Sequence, residues 1–476
     1  MAASAIDLSL LGKGEQLNAA KQMRMVMRLS VPAILAEISA TAMQYIDAAM
    51  VGSMGANASA AIGLVARTTW FIGGMCGAFS TGFSVQVAHL IGAGRADKAR
   101  NVMRQALLCG VFFGLLLCMA AVPLSFVLPT WLGGAPEIRP WASSYFLVYA
   151  CALPASLFRR LCSSMLQCSG DMRTPSLLNA LMCLWDVVFN FLLIFPTRSV
   201  TVGGATCIVP GAGLGVVGAA LGTALSEVVT VLAMLAVVCF RSPVLRLSLG
   251  GSCRLERECL RTFARIALPL AVEHGVLSSA YIAATKIVSP LGTTAIAANS
   301  LAVTAEGLCY MPGYGIAAAA TTLVGQSLGA KRKDLARSFA RLSVLLGMVI
   351  MGFAGILMYF LAPYVFQMLT PAAEVQMLGV RCLRIELIAE PLFAASIVAA
   401  GALRGAGDTL VPSIINLVSM WGVRITASIL LAPHLGLFGV WIAMGGELCF
   451  RGILFLVRLL REKWLKHDLL VSEENI

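Results

Sequence analysis

The stretch Gly92-Ala-Gly-Arg-Ala-Asp-Lys-Ala-Arg100 returns 237 residues later as Gly329-Ala-Lys-Arg-Lys-Asp-Leu-Ala-Arg337, with Gly92-Ala93 on Gly329-Ala330 and Ala99-Arg100 on Ala336-Arg337. The same offset, without a gap, lays Pro32 on Pro269 and Val51-Gly-Ser-Met-Gly55 on Val288-Ser-Pro-Leu-Gly292. It also lays Ala60-Ala61 on Ala297-Ala298, Gly170-Asp171 on Gly407-Asp408, Pro175-Ser176 on Pro412-Ser413 and Asn179 on Asn416. Self-similarity at a fixed period marks a duplicated structural unit. The chain is therefore two related halves.

Each half is a series of apolar runs. Hydrophobic residues make up 59% of the 476 and charged residues 12%, and the mean hydropathy is +0.87. A soluble domain carries roughly a quarter charged residues, so a soluble fold is excluded. A bilayer core about 30 Å thick needs about 20 apolar residues per helix. The runs predict helices at 28–51, 59–88, 103–128, 141–167, 176–196, 214–240, 264–288, 296–324, 338–365, 376–402, 411–432 and 436–459. The expected fold class is an all-α membrane protein with twelve transmembrane helices in two six-helix lobes. An even number of helices per half means that both halves enter from one side, related by a pseudo-two-fold axis along the membrane normal. Pro32, Pro123, Pro154, Pro269 and Pro312 fall in or near these spans. Membrane helices tolerate proline when neighbours re-satisfy the freed backbone groups.

The expected divisions are a cytoplasmic segment 1–27, lobes 28–240 and 264–460, a basic linker 241–263 and a tail 461–476. Positive charge alternates between connections. Lys21, Arg24 and Arg28 come first, then Arg95, Lys98, Arg100 and Arg104, then Arg241, Arg246, Arg254, Arg257, Arg261 and Arg265. Lys331, Arg332, Lys333 and Arg337 follow, and Arg461, Lys463 and Lys466 end the series. The positive-inside rule then places both termini in the cytoplasm. Residues 1–22 lack an early basic region, and Asp7, Lys13 and Glu15 interrupt any apolar core, so no cleaved signal peptide is expected. The net charge of +12 belongs to these connections beside an anionic leaflet, not to a nucleic-acid footprint. The fourteen cysteines form no CxxC pair and mostly sit in apolar runs, where cysteine is a small hydrophobe. Neither GxxxxGK[ST] nor HExxH occurs, so no ATP-driven or enzymatic chemistry is expected.

Several motifs resemble those of the multidrug and toxic compound extrusion (MATE) transporters: Asp47-Ala-Ala-Met-Val-Gly52, Gly92-Ala-Gly-Arg95, Gly325-Gln-Ser-Leu-Gly-Ala330, Leu403-Arg-Gly-Ala-Gly-Asp408 and Trp421-Gly-Val-Arg424. The resemblance runs from the first helix to the twelfth. It implies two lobes forming a V around a central cavity. It also implies secondary active export of organic cations or amphipathic compounds in exchange for protons or sodium ions, by alternating access. No cofactor beyond the coupling ion is expected. The expected partners are small-molecule amphipathic or cationic substrates and membrane lipid, with no nucleic acid and no obligate protein partner. The expected location is the cell (inner) membrane. The alternatives weighed are a flippase for lipid-linked oligosaccharides, a receptor or scaffold, and a passive channel.

Ionisable residues inside spans are costly and mark function by default. Asp47, after Gln44 and Tyr45, lies deep in the first helix. It can bind a proton, or sodium if other oxygens converge on it; otherwise it is a helix-end residue in water. Its repeat equivalent is Ala284, so the shared fold does not need it. Asp186 and Asn190, four apart, share a helix face. Many family members carry Asn followed four residues later by Asp here; this chain reverses the order, leaving open whether the pair meets Asp47 and whether it is structural. Sodium is a candidate at Asp47, Asp186 and Asn190. The resemblance adds Thr223, a residue type that commonly bonds its own backbone, and Glu273, at a Pro-x-x-x-Glu site. Glu37 and Glu273 near the cleft are expected to attract a cationic substrate, with Glu306 a further candidate. Glu386 and Glu390, with Arg384 near, read as a structural Arg–Glu pair. Tyr45, Trp70, Tyr281 and Tyr310 are expected as aromatic faces for a cation.

Overall fold

The computed structural model describes residues 17–202, 205–242, 244–246, 255–466 and 469. Arg254 and most of the expected terminal segments lie outside them. Among the described residues, the chain passes back and forth as α1 (Ala19–Gly52), α2 (Ala56–Gly92), α3 (Ala96–Trp131), α4 (Arg139–Cys168), α5 (Arg173–Ile194), α6 (Gly215–Arg241), α7 (Arg257–Val288), α8 (Thr293–Gly329), α9 (Lys333–Leu369), α10a (Ala373–Leu387) with α10b (Glu390–Gly405), α11 (Leu410–Leu435) and α12 (Leu437–Leu460). Ten of these are long and apolar enough to cross a membrane, and the α10 pair makes an eleventh. The remaining one, α8, is diluted by Gly, Thr, Ser and Glu306, yet it is as long as its repeat counterpart α2. The chain is a multi-pass membrane protein of twelve helices in two lobes.

The structure departs locally from the expected spans in three places. The tenth helix, expected unbroken at 376–402, bends by 56° between Leu387 and Glu390. Pro391 lacks an N–H and its ring crowds the carbonyl of Leu387, which ends the first piece; proline in the opening turn of the next costs nothing. The eleventh loosens into a π-helix over Val418–Ile425, as does the end of α6 over Val237–Arg241. Finally, β1 (Pro196–Val202) and β2 (Ala205–Ala212) pair antiparallel between α5 and α6. Both strands contain β-branched residues that suit a pleated ribbon.

The lobes meet with the symmetry of the repeat. Helix α1 packs on α8, and its counterpart α7 packs on α2. Helices α2 and α8 cross at the face that carries the basic residues, here called the basic face; the hairpin marks the opposite one. At the crossing, Gly92 lies against the backbone of Gln326 so closely that a Cβ would collide, and Gly329 does the same against His89. Gly329 and Gln326 are the repeat equivalents of Gly92 and His89, so one contact is the pseudo-two-fold image of the other. Around it, His89 Nε2 lies 2.8 Å from the Gly405 carbonyl oxygen. Gln326 donates to the Cys168 carbonyl at 2.8 Å and Thr322 to that of Gln167 at 3.2 Å. Toward the hairpin face the lobes touch through side chains instead: Tyr45 donates to the Thr304 carbonyl at 2.6 Å. The cleft is thus shut at the basic face.

A side chain at the crossing has no room. Gly329→Val is expected to destabilise the closed basic face by about 1–3 kcal/mol through overpacking. Hydrogen–deuterium exchange over residues 85–92 and 322–329 measures this; unchanged exchange would show that the backbone contact does not hold the face shut.

Candidate functional site

In the first lobe, α5 aims Asp186 and Asn190, both wholly buried, at α1 and α6. The Asn190 amide donates to Asp47 Oδ1 at 2.8 Å and to Asp186 Oδ2 at 2.9 Å. One neutral side chain therefore bridges two carboxyl groups from different helices. The reversed order does not separate the pair from Asp47, because the amide reaches it and the two carboxyl groups lie close to each other as well. Gly222 makes this possible, since a Cβ there would overlap Asn190 Oδ1. That oxygen is buried without a hydrogen-bond donor. Ser226 Oγ lies 3.2 Å from Asp186 Oδ1 and 2.8 Å from the Thr223 carbonyl. The Thr223 hydroxyl donates back to Ala219 at 3.2 Å, the local bond its residue type favours, and also reaches Asp186. Asp47 is half-buried while Asp186 is enclosed, so Asp47 is the more accessible of the two. The site offers carboxylate, amide and hydroxyl oxygens, which suit a proton or a hard monovalent cation.

One turn further toward the basic face lies a second polar group. Glu227 accepts from the Ser156 hydroxyl and pairs with Arg159 at 3.4 Å. Arg159 also donates to Asn179 Oδ1 at 3.3 Å. In the second lobe Asn416, the repeat equivalent of Asn179, donates to Glu273 Oε1 at 2.6 Å. Ser413 donates to Glu273 Oε2 at 2.6 Å, and Arg404 stands 3.6 Å away. The duplicated asparagine thus steadies an Arg–Glu pair in each lobe.

The sequence model of the MatE family matches the chain twice, over residues 32–192 and 269–430. The chain belongs to the MatE family. The two matches start 237 residues apart, the offset of the repeat. The chain is 28% identical over 459 residues to a probable multidrug resistance protein NorM of Thermotoga maritima, covering 94% of each. It is 26% identical over 463 residues to the multidrug resistance protein NorM of Aliivibrio fischeri, covering 94% of this chain and 96% of that one. Its fold is similar to the outward-facing conformation of a multidrug resistance MATE family transporter of the MOP superfamily, with a TM-score of 0.87 at 22% identity over 97% of this chain and 99% of that one. A MOP superfamily transporter from Pyrococcus furiosus, whose reversed binding-pocket polarity suggests a different function, gives 0.86 at 21% over the same shares.

Other expected site residues of this MatE chain fall into two groups. Glu273 departs from the expectation: both its oxygens are engaged and it is 5% exposed, so it does not present a free charge to the cleft. Glu306, Glu386 and Glu390 are buried inside the second lobe around the α10 bend, acting electrostatically on one another. The expected Arg384–Glu pair does not form, because Arg384 turns outward to the Tyr359 carbonyl at 3.2 Å and over the Tyr359 ring. Gln44 and Trp70 are exposed, and Tyr310 packs on Tyr314 and Phe393. Glu37 is half-buried with the Arg160 and Arg159 guanidiniums acting on it. Tyr281 lies between Arg67 at 5.5 Å and Arg424 at 5.9 Å. Sequence reasoning passed over Glu227, Arg159 and Ser226, although a charged residue inside an apolar run is itself the signal.

Removing one partner of a buried pair strands the other charge, at about 3–5 kcal/mol. Glu227→Gln is expected to lower thermal stability in detergent by that order, and adding Arg159→Gln to recover part of it. If the double variant is no more stable than the single, the pair is not coupled.

Proposed function

We propose that this MatE chain is a multidrug exporter, a secondary active antiporter that moves amphipathic small molecules, organic cations among them, against a proton or a sodium ion. The single observation that carries the reading is the Asn190 amide shared between Asp47 and Asp186. Two carboxyl groups held by one neutral donor leave negative charge that a proton or sodium ion neutralises. The NorM relatives named above are multidrug resistance proteins by name, which supports the same direction of transport.

Coupling requires that the ion bind the two states of the protein unequally. Helix α1 supplies the means. It carries Asp47, and it also packs along α8 of the other lobe, with Ile34 against Gly315 and Tyr45 on Thr304. An ion that draws Asp47 toward α5 therefore pulls on the surface where the lobes meet. With the cleft open at the hairpin face, the ion enters the first lobe and substrate leaves. With it open at the basic face, the ion is lost and substrate binds. The positive-inside rule supports the basic face as the cytoplasmic one, and the likeness to bacterial NorM proteins supports the inner membrane as its location. The chain itself makes and breaks no covalent bond in this cycle.

Asp47→Asn keeps the shape of the bridge and removes a titratable oxygen. It is expected to abolish gradient-driven efflux from proteoliposomes while leaving expression and thermal stability near wild type, with proton and sodium gradients imposed in separate runs. Efflux that persists in a normally folded Asp47→Asn protein would remove the assignment, and the gradient that drives the wild type names the ion.

A further inference from the structure

Charge in the interior sorts by exposure. The carboxylates Asp186, Glu227, Glu273, Glu306, Glu386, Glu390 and Glu447 are buried inside one lobe or the other. Two arginines, Arg67 on α2 and Arg160 on α4, are exposed instead. Both face the space between the lobes. Arg67 lies over the ring of Tyr281, which belongs to the opposite lobe. Arg160 sits beside Gly73 and acts electrostatically on both Glu37 of α1 and His274 of α7.

Four other interior arginines are paired, while Arg424, like these two, has no carboxylate partner among the described residues and lies against the Met444 sulfur at 2.8 Å. Arg159, Arg404, Arg451 and Arg458 each pair with a carboxylate of their own lobe, at 3.4, 3.6, 3.2 and 2.6 Å. Arg67 and Arg160 make no ion pair with any carboxylate among the described residues. A guanidinium in a membrane span that faces a cleft rather than a paired carboxylate points to a functional site, although Glu37 lies within electrostatic reach of Arg160. It presents a fork of N–H donors that matches a planar carboxylate or a sulfonate. The Tyr281 ring, with Arg67 at 5.5 Å and Arg424 at 5.9 Å, ties Arg67 to the opposite lobe across the cleft.

We propose that the cleft selects amphipathic compounds carrying an anionic group, a carboxylate or sulfonate on an aromatic body, and that Arg67 and Arg160 bind that group. A zwitterion satisfies the cleft fully, since half-buried Glu37 remains for its cationic end. The inference names the substrate class of the exporter reading and rests on that reading for its transport arm, while its binding arm stands alone.

The test is a matched dye pair. Rhodamine 110 bears a free carboxylate, and rhodamine 123 is its methyl ester. Binding is read by fluorescence anisotropy on the full chain in nanodiscs, and efflux from proteoliposomes under proton and sodium gradients. Hydrogen bonds to a charged group predict that rhodamine 110 binds roughly tenfold tighter or more. Arg67→Gln and Arg160→Gln should each erase most of that preference while changing rhodamine 123 binding less than about threefold, and Arg160→Lys should restore part of it. If the preference and its loss are seen in binding but neither dye moves under any gradient, the anion site stands and the exporter reading fails. If rhodamine 123 is bound and exported as well as rhodamine 110, or if both dyes weaken equally in the variants, the inference falls and the exporter reading survives. Failure of either dye to bind overturns the inference as well.

Discussion

The contact on which the rest of the structure depends is the crossing of α2 and α8, where Gly92 and Gly329 each rest on the backbone of the other lobe. In a bilayer, lipid is as apolar as the helices, so helices associate through close packing and small residues rather than through hydrophobic burial. Two glycines related by the repeat bring the backbones together at one end of the bundle. Because each is the image of the other, the contact lies at the pseudo-two-fold axis that relates the lobes. Opening at the hairpin face then costs no contact at the crossing, whereas opening at the basic face must break it along with the hydrogen bonds of His89, Thr322 and Gln326. The two states thus differ in definite contacts, which alternating access requires.

Much of this was legible in the sequence. The offset that aligned Gly92 with Gly329 also identified the two glycines that meet, because close backbone approach is what glycine permits. The twelve helices followed from apolar length. The bend at Pro391 was visible as a proline but not as a bend, since membrane helices carry many prolines without one: Pro32, Pro123 and Pro269 sit inside helices here. The hairpin between α5 and α6 falls in the connection left between two expected helices, where a short ribbon adds little pattern of its own.

The candidate site was legible as an inventory and not as a geometry. Asp47, Asp186 and Asn190 stood out because charge inside an apolar run is rare. That the amide would bridge the two carboxyl groups depends on the rotation of α5 about its axis and on the space left by Gly222, and neither follows from spacing along one helix. Glu273 shows the converse. Its setting suggested a free charge at the cleft, but Ser413, Asn416 and Arg404 come from α11 and α10b, elements too distant in sequence for a local reading to bring near.

The two lobes share a scaffold yet differ in how they treat charge, and that difference is what a transporter of this build needs. A symmetric pair of ion sites would respond identically on both sides of the cleft and give the ion no preferred lobe. Here Asp47 has Ala284 as its counterpart, and the second lobe gathers its carboxylates around the α10 bend instead. The shared asparagines, Asn179 and Asn416, hold an Arg–Glu pair in each half and so preserve the common framework. Duplication supplied two lobes that can rock on one crossing. Divergence then left one member of the bridged acid pair, Asp47, on α1, the helix of the first lobe that also packs along the second, and the other, Asp186, on α5.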